Sequence, residues 1–433
     1  MAKQSRLKGW RAALAVYGDR RLLVILLMGF SSGLPLLLGF STLSYWLSKD
    51  GMSLTAISGL LASSVPYSVK FLWAPLIDQA RLPVFTALFG QRRGWMLAIQ
   101  ILLAAAIAAL GFGDPRESIA YIAALALVVA FLSASQDIVI DAYRIDILAD
   151  HEQGAGAAMT QTGYRFGLLV AGAGAIALAD LISWPLIYAM MASLVGIGMV
   201  AALIAPEPLT AKPRTAGTTK APGLGATLRQ AVIEPLTDLL GRQGIVWILL
   251  FVLLYKYGDA IAGAMANPFY YQIGFNGVEI ASVTKVFGVA ATLVGVFAGG
   301  ALVARFGVWP ALVIGGVLQA ATNLLFAWLA ASGHDLTLLA VAVGADNFAG
   351  GLGSAAFVAY LSGLCNVSFT GTQYALLTSL MAFGRTLFAT ASGPLAEQLG
   401  WVGFFIATTA IAVPGLALLL WLRRYPVSVR SGN

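Results

Sequence analysis

Apolar runs of about 20 residues or more recur along this chain, and at roughly 1.5 Å per residue each can cross the hydrocarbon core of a bilayer as a helix. Twelve are predicted, near 22–46, 53–77, 94–112, 118–141, 154–180, 184–205, 245–271, 279–304, 309–331, 336–364, 372–397 and 401–422. Transmembrane strands would read instead as short alternating segments. Of 433 residues, 59% are apolar and only 10% are Asp, Glu, Lys or Arg, so a soluble enzyme with a large core is excluded. The expected fold class is an all-α membrane protein with twelve transmembrane helices in two six-helix bundles. Its 48 glycines suit helices that pack closely or bend in lipid. A single cysteine, Cys365, rules out an intramolecular disulfide. His151 and His334 fall in predicted loops and form no metal cluster, so no cofactor is implied. No helix carries a nucleophile, base and orienting group together, which argues against an enzyme.

Composition divides the chain into a basic tail (1–21), a six-helix bundle (22–205), a polar linker (206–244), a second bundle (245–422) and a short tail (423–433). The run after the basic tail is too long for a signal peptide and lacks a small-residue cleavage pattern, so an uncleaved first helix is expected. Trp10, Leu14 and Tyr17 suit a segment lying along the membrane surface. The end of the linker, with Leu228, Val232, Leu236 and Leu239 at helical spacing, suits a surface helix. With the N-terminus inside, inner segments hold nineteen Lys and Arg, while outer loops hold only Lys49 and Arg116. Both termini are therefore expected in the cytoplasm. The net charge of +7 expresses this topology and is not a nucleic-acid footprint.

Related text ends the second helix of each consecutive triplet: APLIDQA (74–80), ALADLISW (177–184), GALVARFGVW (300–309) and GPLAEQLGW (393–401). Asp78, Asp180 and Glu397 recur at one place, where the third copy has Ala304. Four triplets in two halves is the repeat logic of secondary transporters, whose sites lie near the midplane. Five cations fall within predicted helices: Lys70, Arg165, Lys256, Lys285 and Arg385. Four acids face them: Asp137, Asp141, Asp259 and Asp346. Intramembrane ionisable residues point to a bundle interior or a watered cavity, and the cationic excess favours an anionic solute. Lys256 and Asp259, three residues apart, either neutralise each other or serve the solute. Asn276 and Glu279 fit a capping arrangement. Asp137 has no cation within reach on its own helix, and a carboxylate so placed trades a proton as its surroundings rewet. Asp141, beside Arg144 at the predicted helix end, suits a salt bridge or gate contact as well as coupling.

The blocks GFSSGLP (29–35), KFLWAPLID (70–78), GQRRGW (90–95), SASQDIVIDAYRID (133–146), GYRFGLLV (163–170), YKYGDA (255–260), NPFY (267–270), GSAAFVAYLSGLC (353–365) and TQYALLTS (372–379) resemble the AmpG-type muropeptide permeases of the major facilitator superfamily. The resemblance covers nearly all twelve helices. It implies proton-driven import of N-acetylglucosaminyl-anhydro-N-acetylmuramyl peptides across a bacterial inner membrane by a monomer. The partners it implies are this glycopeptide, protons and the lipid bilayer. Asp137 and Asp141 match the family's acidic pair on the fourth helix and are expected to couple protons. Lys256, Asp259, Asn267 and Tyr270 match its seventh-helix polar face. Gln136, Asn347 and Gln373 are added for sugar hydroxyls, since amides both donate and accept. Lys70, Arg165, Lys285, Asp346 and Arg385 complete the expected substrate set. Asp78, Arg92 and Arg93 keep a stretched form of the superfamily's loop signature and are expected to form a conformational latch. The second half's copy lacks the acid. Other readings are a carrier of another amphiphilic anion, such as an acyl-CoA-type molecule, and a channel or non-transporting sensor.

Overall fold

The computed structural model describes residues 9–53, 63–208 and 233–423, and every regular element among them is helical. The first half contains α1 (Arg20–Gly39, resuming as Ser41–Lys49) and α2 (Val65–Val69, a 3-10 turn Lys70–Leu72, then Ala74–Gln79). It continues with α3 (Gln91–Phe112), α4 (Ile119–Ile147), α5 (Gln153–Leu169, a π-helical Val170–Gly174, then Ala175–Leu178) and α6 (Trp184–Leu194 and Gly196–Ile204). The second half contains α7 (Ile245–Leu254 and Tyr257–Gln272), α8 (Gly277–Ala281, a π-helical Ser282–Phe287, then Gly288–Phe306) and α9 (Val308–Ser332). It ends with α10 (Leu336–Gly363), α11 (Thr370–Ala389) and α12 (Ser392–Leu422). Among the described residues nine of these passages are long and apolar enough to cross a membrane. The other three, α2, α5 and α11, all touch the opposite half.

Short polar side chains start the helices where the sequence leaves the apolar runs. Asp19 accepts from the Arg21 backbone at 2.7 Å to open α1, Ser118 accepts from Tyr121 at 3.2 Å to open α4, and Asp335 accepts from Leu338 at 2.9 Å to open α10. Asn276 and Glu279 form the expected capping box at the start of α8. Each half has its own apolar core: Leu34, Ile107 and Tyr188 belong to one, Phe269, Phe326 and Phe405 to another. The helix α1 lies directly on α5. A Cβ at Gly33 would stand 2.2 Å from the Tyr164 carbonyl oxygen, and one at Gly163 would stand 2.0 Å from that of Leu26. Only glycine permits this approach, which holds α5 against α1 and fixes where Tyr164 and Arg165 emerge.

The structure corrects four expected boundaries. Helix α4 runs on to Ile147, so Arg144 and Asp146 are helical and not loop residues. The seventh passage breaks at Tyr255 and Lys256, whereas its helix continues through Pro268. The predicted helix 372–397 ends at Ala389, and a kink at Gly400 (φ 62°) follows within α12. Within the basic tail, Trp10–Ala15 forms a short helix that rests on the second half. Trp10 meets the Phe306 ring at 5.6 Å, and the Tyr17 hydroxyl donates to the Phe297 carbonyl at 2.8 Å. Of the expected surface helix in the linker, Glu234–Leu240 is helical, while Leu228 and Val232 lie outside the described residues.

Contacts between the halves in the described residues run through the end where the linker joins. There Gly154 of α5 faces Val303 of α8, and Ala158 clusters with Val296 and Ala355. Helix α11 meets α2 and α4 at the same end.

Candidate functional site

The central charges divide between two walls. On the first, Asp137 projects from α4 and Ser32 of α1 donates to it at 2.5 Å. Lys70 lies within electrostatic reach of this carboxylate. It stands on the 3-10 turn of α2, between two short helices that carry Pro66 and Pro75 in their first turns. The Tyr164 hydroxyl on α5 is within reach of Asp137, Arg165 and Arg385. Lys70 and Arg165 are half-buried, and Arg385 on α11 is exposed. Among the described residues none of these three cations is in an ion pair, whereas Arg92, Arg144 and Lys256 all are.

The second wall is a saturated polar network. Lys256, at the break in α7, reaches Asp259 at 3.3 Å and Gln319 of α9 at 3.0 Å. Gln319 also donates to Asp259. Thr322 donates to Asp346 of α10 at 3.0 Å, and Asp346 lies within reach of Asp259 and Lys256. Lys256 and Asp259 thus neutralise each other, with Gln319 closing the triangle. Interior charges held this way are costly to strand singly, because the remaining partner stays buried.

A third cluster closes the linker end. Arg92 at the start of α3 bonds Asp78 at 2.6 Å and Asp146 at 2.9 Å, and all three side chains are 5% exposed or less. Asp78 then crosses to the second half. It accepts from the backbone of Gly371 at 3.2 Å and Thr372 at 2.6 Å, and from the Thr372 hydroxyl at 2.7 Å. Asp146 accepts from Thr370 at 2.7 Å. Two carboxylates on one guanidinium leave a negative surplus, which sits at the first turn of α11, where unpaired N–H groups and the helix dipole favour an anion. Gly371 is required here, because a Cβ would lie 2.6 Å from the Asp78 carboxylate.

Several expected site residues lie elsewhere. Arg93 is not part of the Asp78–Arg92–Asp146 cluster: it donates to the carbonyls of Ala202 at 2.8 Å and Leu203 at 2.7 Å, tying α3 to the end of α6. Gln136 is fully buried within the first half, where it accepts from Ser31 at 3.3 Å while its Nε2 has no hydrogen-bond partner among the described residues. Gln373 is buried at the linker end, where it donates to Asp238 at 2.7 Å and to Pro235 at 3.0 Å. Those bonds hold the Glu234–Leu240 helix on α11 in place of a sugar. Asn347 accepts from Thr292 at 2.8 Å and donates to Val343 at 2.9 Å, bracing α10 against α8. Tyr270 is buried among Phe269 and Phe326, although its hydroxyl is within reach of Asp346. Asn267 is exposed, and the Lys285 side chain lies outside the described residues. Asp180 pairs with Lys49 at 2.6 Å at the opposite end, and Glu397 is exposed, so only Asp78 of the recurrent acids bridges the halves. Sequence reasoning assigned nothing to Asp146, Tyr164, Gln319 or Thr322. Only Asp146 carried a signal, standing nine residues beyond Asp137 on one apolar helix.

The chain matches the family described as Major Facilitator Superfamily over residues 25–332. It is 43% identical over 413 residues to the Anhydromuropeptide permease of Escherichia coli (strain K12), covering 95% of this chain and 81% of that protein. It is 34% identical over 411 residues to Putative transporter AmpG 4 of Rickettsia felis, covering 94% and 98%. Among solved structures, the proton:xylose symporter XylE aligns with a TM-score of 0.66 at 12% identity, over 94% of this chain and 96% of that one. The human organic anion transporter MFSD10 aligns at 0.61 and 18%, over 95% and 100%. At such identities these two likenesses concern the fold alone.

Proposed function

The chain belongs to the AmpG-type permeases of the major facilitator superfamily, and we propose that it carries anhydro-muropeptides inward across a bacterial inner membrane in symport with protons. The observation that carries this reading is the set Lys70, Arg165 and Arg385, three cations that form no ion pair among the described residues. Lys70 faces the half-buried Asp137, and the other two are within reach of Tyr164 beside it. An anionic glycopeptide supplies the missing negative charge, and charge-assisted bonds to guanidinium groups are among the stronger contacts a protein can offer a carboxylate. The second wall, one ammonium among two carboxylates with the Gln319 amide and the Thr322 hydroxyl, is the polar face left for sugar hydroxyls. Asp137 is the coupling group in this reading, since it is held by one hydroxyl and faced by one ammonium. Either a proton or a shift of Lys70 toward the solute changes its balance.

With both termini cytoplasmic, the closed linker end is the inner gate, and solute enters from the opposite face. Asp78, Arg92 and Asp146 release the first turn of α11 when the halves rock, and alternating access follows from that exchange. Uptake of a labelled anhydro-muropeptide into membrane vesicles, with and without an imposed proton gradient, tests the reading. Accumulation that requires the gradient is expected. Gradient-independent uptake would remove the coupling. Uptake of an acyl-CoA in preference to the glycopeptide would replace the solute.

A further inference from the structure

Beside the Asp78–Arg92–Asp146 cluster, a second charged side chain crosses between the halves. Arg144 of α4 is completely buried. Its Nη1 donates to Ser362 of α10 at 3.0 Å and to Gln153 of α5 at 3.2 Å, and its guanidinium lies 5.3 Å over the ring of Tyr374 on α11. One residue of the first half therefore holds two helices of the second. Among the described residues its neighbours here are neutral acceptors and a ring face, and its Nε and Nη2 have no hydrogen-bond partner. The carboxylate within ion-pair distance is Asp141, at 3.6 Å and one turn earlier on α4.

A guanidinium cannot discharge by losing its proton, so its burial depends on a counter-charge. Asp141 differs from Arg144 in being partly open: its side chain is 21% exposed, and it stands one turn from Asp137 on the same helix. The charge that neutralises the tether is therefore reachable from outside the contact, while the tether itself is sealed.

We propose that Arg144 is a positioning residue that holds the linker end shut, and that the charge on Asp141 sets the strength of its hold. When Asp141 is neutral, the closed form strands a buried cation. The open form hydrates the same cation, so the balance moves toward opening. The Asp78–Arg92–Asp146 cluster carries its own counter-charges and is not subject to this control. The inference goes beyond the transport reading and is independent of which solute is carried.

The test uses the full chain with Cys365→Ser and spin labels at Ala149→Cys and Ser368→Cys, both exposed and on opposite halves at the linker end. Distance distributions are measured in nanodiscs without solute. Asp141→Asn is expected to raise the ratio of long to short distances at least tenfold. Adding Arg144→Met to Asp141→Asn removes the stranded charge and is expected to return most of the population to the short distance. Arg144→Lys with native Asp141 is expected to keep the short distance, which shows that the protein folds with this site altered. An unchanged distribution in Asp141→Asn overturns the proposal. So does a double variant as open as the single one, because a purely structural pair would give losses that add and never reverse.

Discussion

Asp137 and Arg385 make the sharpest claims about individual side chains. Asp137→Asn keeps the size and one oxygen for Ser32 but fixes the charge at zero. Gradient-driven accumulation should fall at least a hundredfold while membrane insertion is retained, as read by vesicle uptake beside a surface-labelling control. Accumulation near the wild-type level would make Asp137 structural. Arg385→Ala should weaken binding of the anionic glycopeptide about tenfold more than binding of a neutral sugar analogue, and equal losses in a binding titration would point to packing. Asp19, outside the spans, allows a pH statement. The Arg21 side chain bonded to it at 2.7 Å holds its carboxyl below the usual value of 3.8. A depressed carboxylate adds stability above its unfolded value, and that contribution disappears as pH falls through the folded one. Asp19→Asn should therefore cost about 0.5 kcal/mol at neutral pH, the small size reflecting partial exposure. The difference from wild type should close below pH 3.8, in thermal unfolding at a series of pH values.

Helix α11 shows how one element's end becomes a mechanical part. Its first turn is held by a carboxylate 294 residues away in sequence, on the other half. Asp78→Asn keeps an acceptor for Thr372 but removes the charge that answers both Arg92 and the helix dipole. The linker end should open more readily, by roughly 1–2 kcal/mol on the scale of a lost charged cap. Faster reaction of a cysteine placed at Thr370 with a water-soluble maleimide would register this, and an unchanged rate would relieve Asp78 of the latch role. Helices α5 and α8, which face each other across the halves, each carry a π-helical stretch beyond their contact zone. Such stretches leave backbone carbonyls irregularly paired and mark where a helix bends.

For the whole molecule, the alternating access proposed above requires the contacts that join the halves at the linker end to separate in each cycle. A disulfide between Ala158→Cys on α5 and Val296→Cys on α8, in a Cys365→Ser background, should halt transport when formed and release it on reduction. Full-rate transport by fully oxidised protein would contradict rocking at this seam. Apolar clusters lie within each half. The seam between the halves combines small side chains such as Ala158, polar contacts, and the residues Ile145 and Ala375, each of which packs into a cluster of the opposite half.

Much of this was readable beforehand. Apolar runs of bilayer length dictate helices because lipid offers a backbone no hydrogen bonds, and the linker separates six runs from six. The presence of Asp137 and of cations inside apolar runs was also legible, since a charge there has few explanations. That Lys256 is paired while Lys70, Arg165 and Arg385 are in no ion pair among the described residues was not. Arg92 and Asp78 were found through a short motif, but Arg93 beside them turned to α6, a choice that depends on which carbonyls the fold brings near. Gln373 had suitable chemistry and is spent on bonds to Asp238 and Pro235. The latch partner Thr370 and the tether Arg144–Ser362 join residues 224 and 218 positions apart, so no local pattern encodes them. Water and lipid select the helices one run at a time. Which buried charge meets which partner is settled only when the two halves close on each other, because a charge removed from solvent takes its counter-charge from whatever the packing places beside it.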